Sequence, residues 1–233
     1  MSLDVLSLDY RFYGIAKPPA VASAAGGPWC SKITAGGSPT ISSALGLMSL
    51  ALDSTVEIQN LCLYWGDDLA LTIGQIVSLD IWASVSAALN GVITASFGLA
   101  SARNDAIASI SQYLLFQLNG NNNLSALSKD GSHNVAATAT GLTLSTTIRR
   151  FSFDLASGVL TQSAPNLSLG GSANVRVAAE NSQGLARTVL ASTPVNMSGY
   201  TGGLQPFFQL QKTSNAAVGT LNLQRMLIRY KQN

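Results

Sequence analysis

Over long stretches of this chain, apolar residues fall on every second position. Leu69, Leu71, Ile73, Val77, Leu79 and Ile81 are odd-numbered, with Thr72, Gly74, Ser78 and Asp80 between them, and Ile93, Ala95, Phe97 and Leu99 repeat the pattern against Thr94, Ser96 and Gly98. A β-strand with one buried face imposes this period of two, because successive side chains point to opposite sides of the pleat. No charge interrupts residues 81–102, about the length that crosses a bilayer as a helix. Asn90-Gly91 in the middle of that stretch argues for another structure. Both residues reach positive φ cheaply, so the dipeptide favours a type I′ turn, and the pattern predicts a hairpin of two half-buried strands in place of a membrane span.

Similar segments recur at 45–52, 56–65, 113–118, 134–140, 147–155, 174–179, 185–191, 206–212 and 220–230, separated by turn signals such as Gly66-Asp67-Asp68, Asp130-Gly131-Ser132 and Gly202-Gly203. That spacing predicts an all-β, antiparallel sandwich or barrel. In the last segment Leu221 and Leu223 share one parity while Met226, Ile228 and Tyr230 share the other. A bulge near Gln224-Arg225 would restore one buried face. Residues 102–112 are read as helical. Residues 1–44 are read as an N-terminal strand and an extended arm, and 45–233 as the sandwich domain. The arm, 16–39, is rich in Pro, Gly, Ala and Ser without any period, and Trp29 within it predicts that its middle packs against something.

Composition sharpens this picture. Only 10% of residues are charged, against about 25% in typical domains, so Ser, Thr, Asn and Gln must supply most of the polar surface. Thirteen Lys and Arg against eleven Asp and Glu give a net charge of +2 with no basic block, which argues against nucleic acid as a partner. The N-terminal stretch has no basic region and long apolar core of the secretory kind, since Asp4 and Asp9 interrupt it; synthesis in the cytoplasm is expected. Cys30 and Cys62 are read as two free buried thiols.

The chemistry-bearing residues do not converge on a catalytic pattern. His133 is the lone histidine and lies in a turn, no Gly-x-Ser-x-Gly elbow is present, and Glu57 and Glu180 are the only glutamates. Asp80 and Asp154 fall on polar strand faces and are read as solvated. No enzyme activity and no cofactor are expected. Asp67, Asp68 and Asn60, or Asp130 with Asn121 to Asn123, offer oxygen ligands for calcium without a supporting motif, so no metal site is assigned. Arg149 and Arg150 put one arginine on each face of a strand. Arg150 is read as solvated beside Ser152 and Asp154, and Arg149, on the face of Phe151 and Phe153, as an edge-strand residue or a subunit contact. Trp29, Arg149 and Arg150 are the interface candidates. Tyr200, Trp65, Trp82 and Trp29 are weighed as a sugar-binding surface against plain core packing.

The segments FGLASARND (97–105), RRFSFDLASG (149–158) and LQPFFQLQKTSNAAVGTLNLQRMLIRYKQN (204–233) resemble jelly-roll or concanavalin-like β-sandwich virion proteins of tailed bacteriophages, of the head decoration (cement) type. The resemblance implies a jelly-roll-like sandwich, a structural role in a virion, and the major capsid protein or other virion proteins as partners. Together with the low-charge surface and the arm it leads to an expected homo-oligomer, a trimer because local three-fold positions of a shell are natural clamping points. A tail or fibre component, or a carbohydrate- or receptor-binding sandwich module, is the alternative.

Overall fold

The computed structural model describes residues 5–12, 18, 29–86, 89, 91–120, 122–155, 175–180 and 187–231. They form two antiparallel sheets packed face to face, as the alternation predicts. In the first sheet β14 (Arg187–Val195), β13 (Val175–Glu180), β12 (Arg149–Asp154), β7 (Ile76–Val85), β16 (Gly219–Lys231), β4 (Leu47–Leu52) and β3 (Thr40–Ala44) lie side by side, and β1 (Val5–Arg11) also pairs with β16. In the second the order is β11 (Asn134–Thr143), β10 (Asn123–Lys129), β9 (Tyr113–Asn119), β8 (Ile93–Ala100), β15 (Gly203–Asn215), β5 (Glu57–Tyr64) and β2 (Cys30–Ala35), with the short β6 (Leu71–Thr72) on β15.

The core fills the space between the sheets. Leu79, Ile81, Ala83 and Val85 of β7 face Phe97, Leu99, Phe116 and Phe208 of the opposite sheet. Two aromatic groups dominate it. Tyr10, Phe12, Trp29, Trp65 and Phe208 pack edge-on or tilted, and Phe116 stacks on Phe153 at 4.0 Å between centroids. Such pairs add roughly 0.5–1.5 kcal/mol each beyond area burial. Trp29 therefore packs, as expected of the middle of the 16–39 segment, and the six residues after it form β2, bonded to β5. Cys30 and Cys62 are free and fully buried, and burial pushes the Cys62 thiol well above its ordinary pKa.

Three expectations need correction. β7 and β8 are not a hairpin: β7 pairs with β12 and β16, β8 with β9 and β15, so the chain crosses from one sheet to the other between them. Asn90 lies outside the described residues, and Gly91 lacks the left-handed φ of a type I′ turn. Nor is 69–81 one strand, because a 3-10 turn at Ile73–Gln75 separates β6, on the second sheet, from β7, on the first. Alternation reports which side of a strand is buried, and both sheets bury their sides toward the same core. Finally, 102–112 is not a helix beyond the single 3-10 turn Ile107–Ser109. It is a loop closed at its base by the Ser101 N–H to Gln112 O bond, 2.9 Å, with the Asn104 side chain accepting from the Ala106 N–H as turn-forming asparagines do. Its Ile107 and Ile110 cover Cys62, Leu115, Leu127 and Phe207 on the outer side of the second sheet.

The closing strand carries the expected bulge. Leu223 pairs with Ala83 and Arg225 with Trp82, so Gln224 is the extra residue. Leu221, Leu223, Met226 and Ile228 are all fully buried as a result.

These observations reverse the weight of two glycines. A Cβ at Gly98 would lie 2.2 Å from the Leu114 carbonyl oxygen, whereas one at Gly91 meets nothing within 4 Å. Gly98→Ala is expected to destabilise the protein by about 2 kcal/mol or more, the cost of overpacking a rigid neighbour, and Gly91→Ala by less than about 0.5 kcal/mol. Chemical denaturation of the two variants checks both.

Candidate binding face on the first sheet

The outer side of the first sheet is a grid of polar side chains set by strand register. Across β1, β16, β7 and β12 the directly opposed residues are Arg11, Arg225, Trp82 and Arg150. The next row in register is Asp9, Leu227, Asp80 and Ser152, and the one beyond it is Ser7, Arg229, Ser78 and Asp154. Opposed residues of an antiparallel pair share a face and sit about 4.5–5.5 Å apart at Cβ. Arg11 beside Arg225 is thus a like-charge neighbour pair, unfavourable unless something neutralises it.

Asp9 does so from one row away. It accepts from Arg225 Nε at 2.7 Å and Arg225 Nη2 at 3.0 Å, and from Arg11 Nε at 3.3 Å. The Arg225 hydrogen bonds hold its carboxyl below the usual range, so it stays ionised. Arg225 also lies over the indole of Trp82, 4.7 Å from the ring centroid, with Arg150 at 5.1 Å. Both distances are within cation–π reach.

Asp80 anchors the other side. Its side chain is 0% exposed and accepts from Arg229 Nη1 at 2.8 Å, Arg150 Nη2 at 3.1 Å and the Ser152 hydroxyl. Arg150 is therefore an ion-pair partner, and the solvated reading of Arg150, Asp80 and Asp154 is corrected: both aspartates are buried. Arg149 opens β12 opposite Ala83, and β12 is an interior strand between β7 and β13, so Arg149 is not an edge-strand residue.

Where β4 and β1 meet end to end along β16, the bulged Gln224 leaves a groove of about 550 Å³ lined by Arg11, Leu45, Gly46, Trp82, Gln224 and Arg225. Leu45-Gly46 is the two-residue turn of the β3–β4 hairpin, with φ of 52° and 81°, the type I′ geometry. Leucine is costly there, and Leu45 is also 99% exposed. Neither the turn nor the groove is legible in the sequence, since Leu-Gly is no turn signature. Of the four aromatics weighed as a sugar surface, Trp29 and Trp65 are in the core, the Tyr200 hydroxyl donates to Gly203 O, and Trp82 alone stands on this face.

The remaining candidates serve structure. Asp67 accepts from the Arg103 N–H and from Gln205 Nε2, Asn60 donates to Asp105 O, and among the described residues no three His, Cys, Asp or Glu converge on a metal position. Asp130 closes the turn that contains His133. Burial opposes its ionisation, but the His133 N–H and ring and the N–H groups of Gly199 and Ser132 outweigh that, lowering its pKa to about 2.

No family model and no curated protein matches the chain. Solved structures do. The chain is similar over its whole length to 94% of a non-specific endo-β-1,3(4)-glucanase of family GH16, with TM-score 0.61 and 9% identity. Over 97% of its length it is similar to 99% of a structure described with endo-acting O-glycanases that human gut microbes use to initiate mucin breakdown, TM-score 0.59 and 8% identity. Over 99% it is similar to 88% of a protein of unknown function from Shewanella oneidensis MR-1, TM-score 0.54 and 10% identity. At such identities the likeness establishes the fold, an antiparallel jelly-roll sandwich.

Two outcomes are expected of the anchoring carboxylates. Asp80→Ala leaves Arg150 and Arg229 without their shared buried partner and lowers stability by about 3 kcal/mol, measured by urea denaturation. Asp130 is more acidic folded than in an unfolded chain, where the value is about 3.9, so its stabilisation is present above that value and lost as pH falls through about 2. Asp130→Asn should flatten the acid limb of stability against pH over this window.

Proposed function

We propose that this protein is a non-catalytic carbohydrate-binding module that takes its ligand in the groove beside Leu45. The observation that carries the reading is Leu45 itself: a fully exposed leucine in left-handed backbone, lining a groove together with a tryptophan and two arginines. Strain of this kind is retained where a side chain is needed in place. Apolar contact from Leu45 and the Trp82 edge, with directional donors from Arg11, Arg225 and Gln224, is the mixture that saccharides require, since a sugar ring has an apolar face and a hydroxyl rim.

Two carboxylates on this face, Asp9 and Asp80, suit binding and not hydrolysis. A glycosidase needs one carboxylic acid with a raised pKa and a second carboxylate across the bond. Asp80 is enclosed by two guanidiniums and a hydroxyl, and Asp9 is held below its usual range by Arg225. The neighbours of this fold that act on glycans support a glycan as the ligand class. Such a module also suits a virion tail or fibre; decoration of a phage head draws no support from these neighbours.

Leu45→Asn separates the binding role from a structural one. Asparagine tolerates left-handed φ, so the variant should be as stable as the parent, or more stable by about 0.5–1 kcal/mol, while its signal on a glycan array falls at least tenfold. Undiminished glycan binding by this variant, or no glycan bound by the parent, would overturn the proposal.

A further inference from the structure

We infer that the glycan read in this groove is acidic, carrying a carboxylate or sulfate that docks between Arg11 and Arg225. This rests on the carbohydrate-binding reading and narrows it. The charge arrangement carries the inference. Although the chain as a whole has a net charge of only +2, two guanidiniums share one carboxylate at the groove, Arg11 and Arg225 on Asp9. The same ratio recurs two strands away, where Arg150 and Arg229 share Asp80. Among the described residues, each trio leaves one positive charge in excess. Arg11 and Arg225 are directly opposed across β1 and β16, and Asp9, bonded to both, sets one negative charge against their two.

The two arginines are not equally committed. Arg225 is held by two hydrogen bonds to Asp9 and by the Trp82 ring. Arg11 makes one long contact to Asp9 at 3.3 Å, and its side chain is 67% exposed at the groove. Each guanidinium has five N–H donors and no acceptor, so most of those on Arg11 are available to a ligand. A neutral sugar matches donors with hydroxyls that are themselves donors and acceptors. A carboxylate or sulfate matches them with acceptors alone and balances the positive charge that Asp9 leaves over, through charge-assisted bonds roughly twice as strong as neutral ones. Leu45 and the Trp82 edge would meet the apolar side of the ring that bears the acid.

The test is calorimetric titration of the full chain with hyaluronate oligosaccharides (carboxylate only), dextran sulfate (sulfate only), unmodified dextran and a single-stranded DNA oligonucleotide, at two salt concentrations. Binding to hyaluronate or dextran sulfate, absent for dextran and weakened by salt, is expected, and the tighter of the two identifies the acid. Arg11→Gln should weaken that binding about tenfold. Asp9→Asn, which removes the competing carboxylate, should strengthen it severalfold, a gain that a merely structural role for Asp9 does not produce. Equal affinity for dextran overturns the acidic ligand and leaves the carbohydrate reading standing. Tighter binding of the oligonucleotide overturns both in favour of nucleic acid, and binding of none of the four overturns the inference together with the groove as a sugar site.

Discussion

One extra residue in one strand underlies both the fold and the face described above. β16 runs through the first sheet with β7 along one edge and, along the other, β4 beside its first half and β1 beside its second. A strand of this length with unbroken alternation would bury only half of its apolar residues, because Leu221 and Leu223 have the opposite parity to Met226 and Ile228. The bulge at Gln224 corrects the parity, and all four reach the core. The same step turns Arg225 outward against Trp82 and separates the end of β4 from the end of β1. The groove is the space left by that separation, with Gln224 among its lining residues and the Gln224 carbonyl accepting from the Phe12 N–H.

Around this strand the protein has gathered much of its charge. The sequence contains eight arginines, and Arg11, Arg150, Arg225 and Arg229 stand on one face, tied to Asp9 and Asp80. The two anchors differ in energetic kind. Asp80 is sealed from water, so removing it takes away the buried carboxylate that two partly exposed guanidiniums share, while in the Asp9 pairs both partners are partly exposed and contribute little to stability. The buried carboxylate ties three strands together, β16, β7 and β12, whereas the Asp9 pairs stand open to water. Leu45, which lines the groove beside the exposed trio in a backbone conformation that a leucine adopts at a cost, is the residue on which the proposed binding role rests.

Much of the architecture was legible in residue order. Alternation identified most strands, the parity break of 220–230 placed the bulge near Gln224-Arg225, and the two cysteines, one in a loop-like and one in a strand-like setting, read as the free thiols they are. β10 escaped because Leu124 and Leu127 have opposite parity and the strand is bulged against β11. The site was not legible. Arg229 reaches Asp80 across 149 residues and Arg225 reaches Asp9 across 216, and nothing local to Asp80 distinguishes it from an ordinary polar strand residue facing water.

What the sequence determined by itself was the inward side of each strand, because hydrophobic burial acts residue by residue and leaves its period in the order of the chain. Which sheet a strand joins was decided only by tertiary structure: β7 and β8 both bury their apolar sides toward the same core, and burial energy alone does not distinguish pairing with each other from crossing the sandwich. The groove was decided the same way. Its arginines, tryptophan and strained leucine become neighbours only through cross-strand register, and register is a property of paired strands that no single stretch of sequence contains.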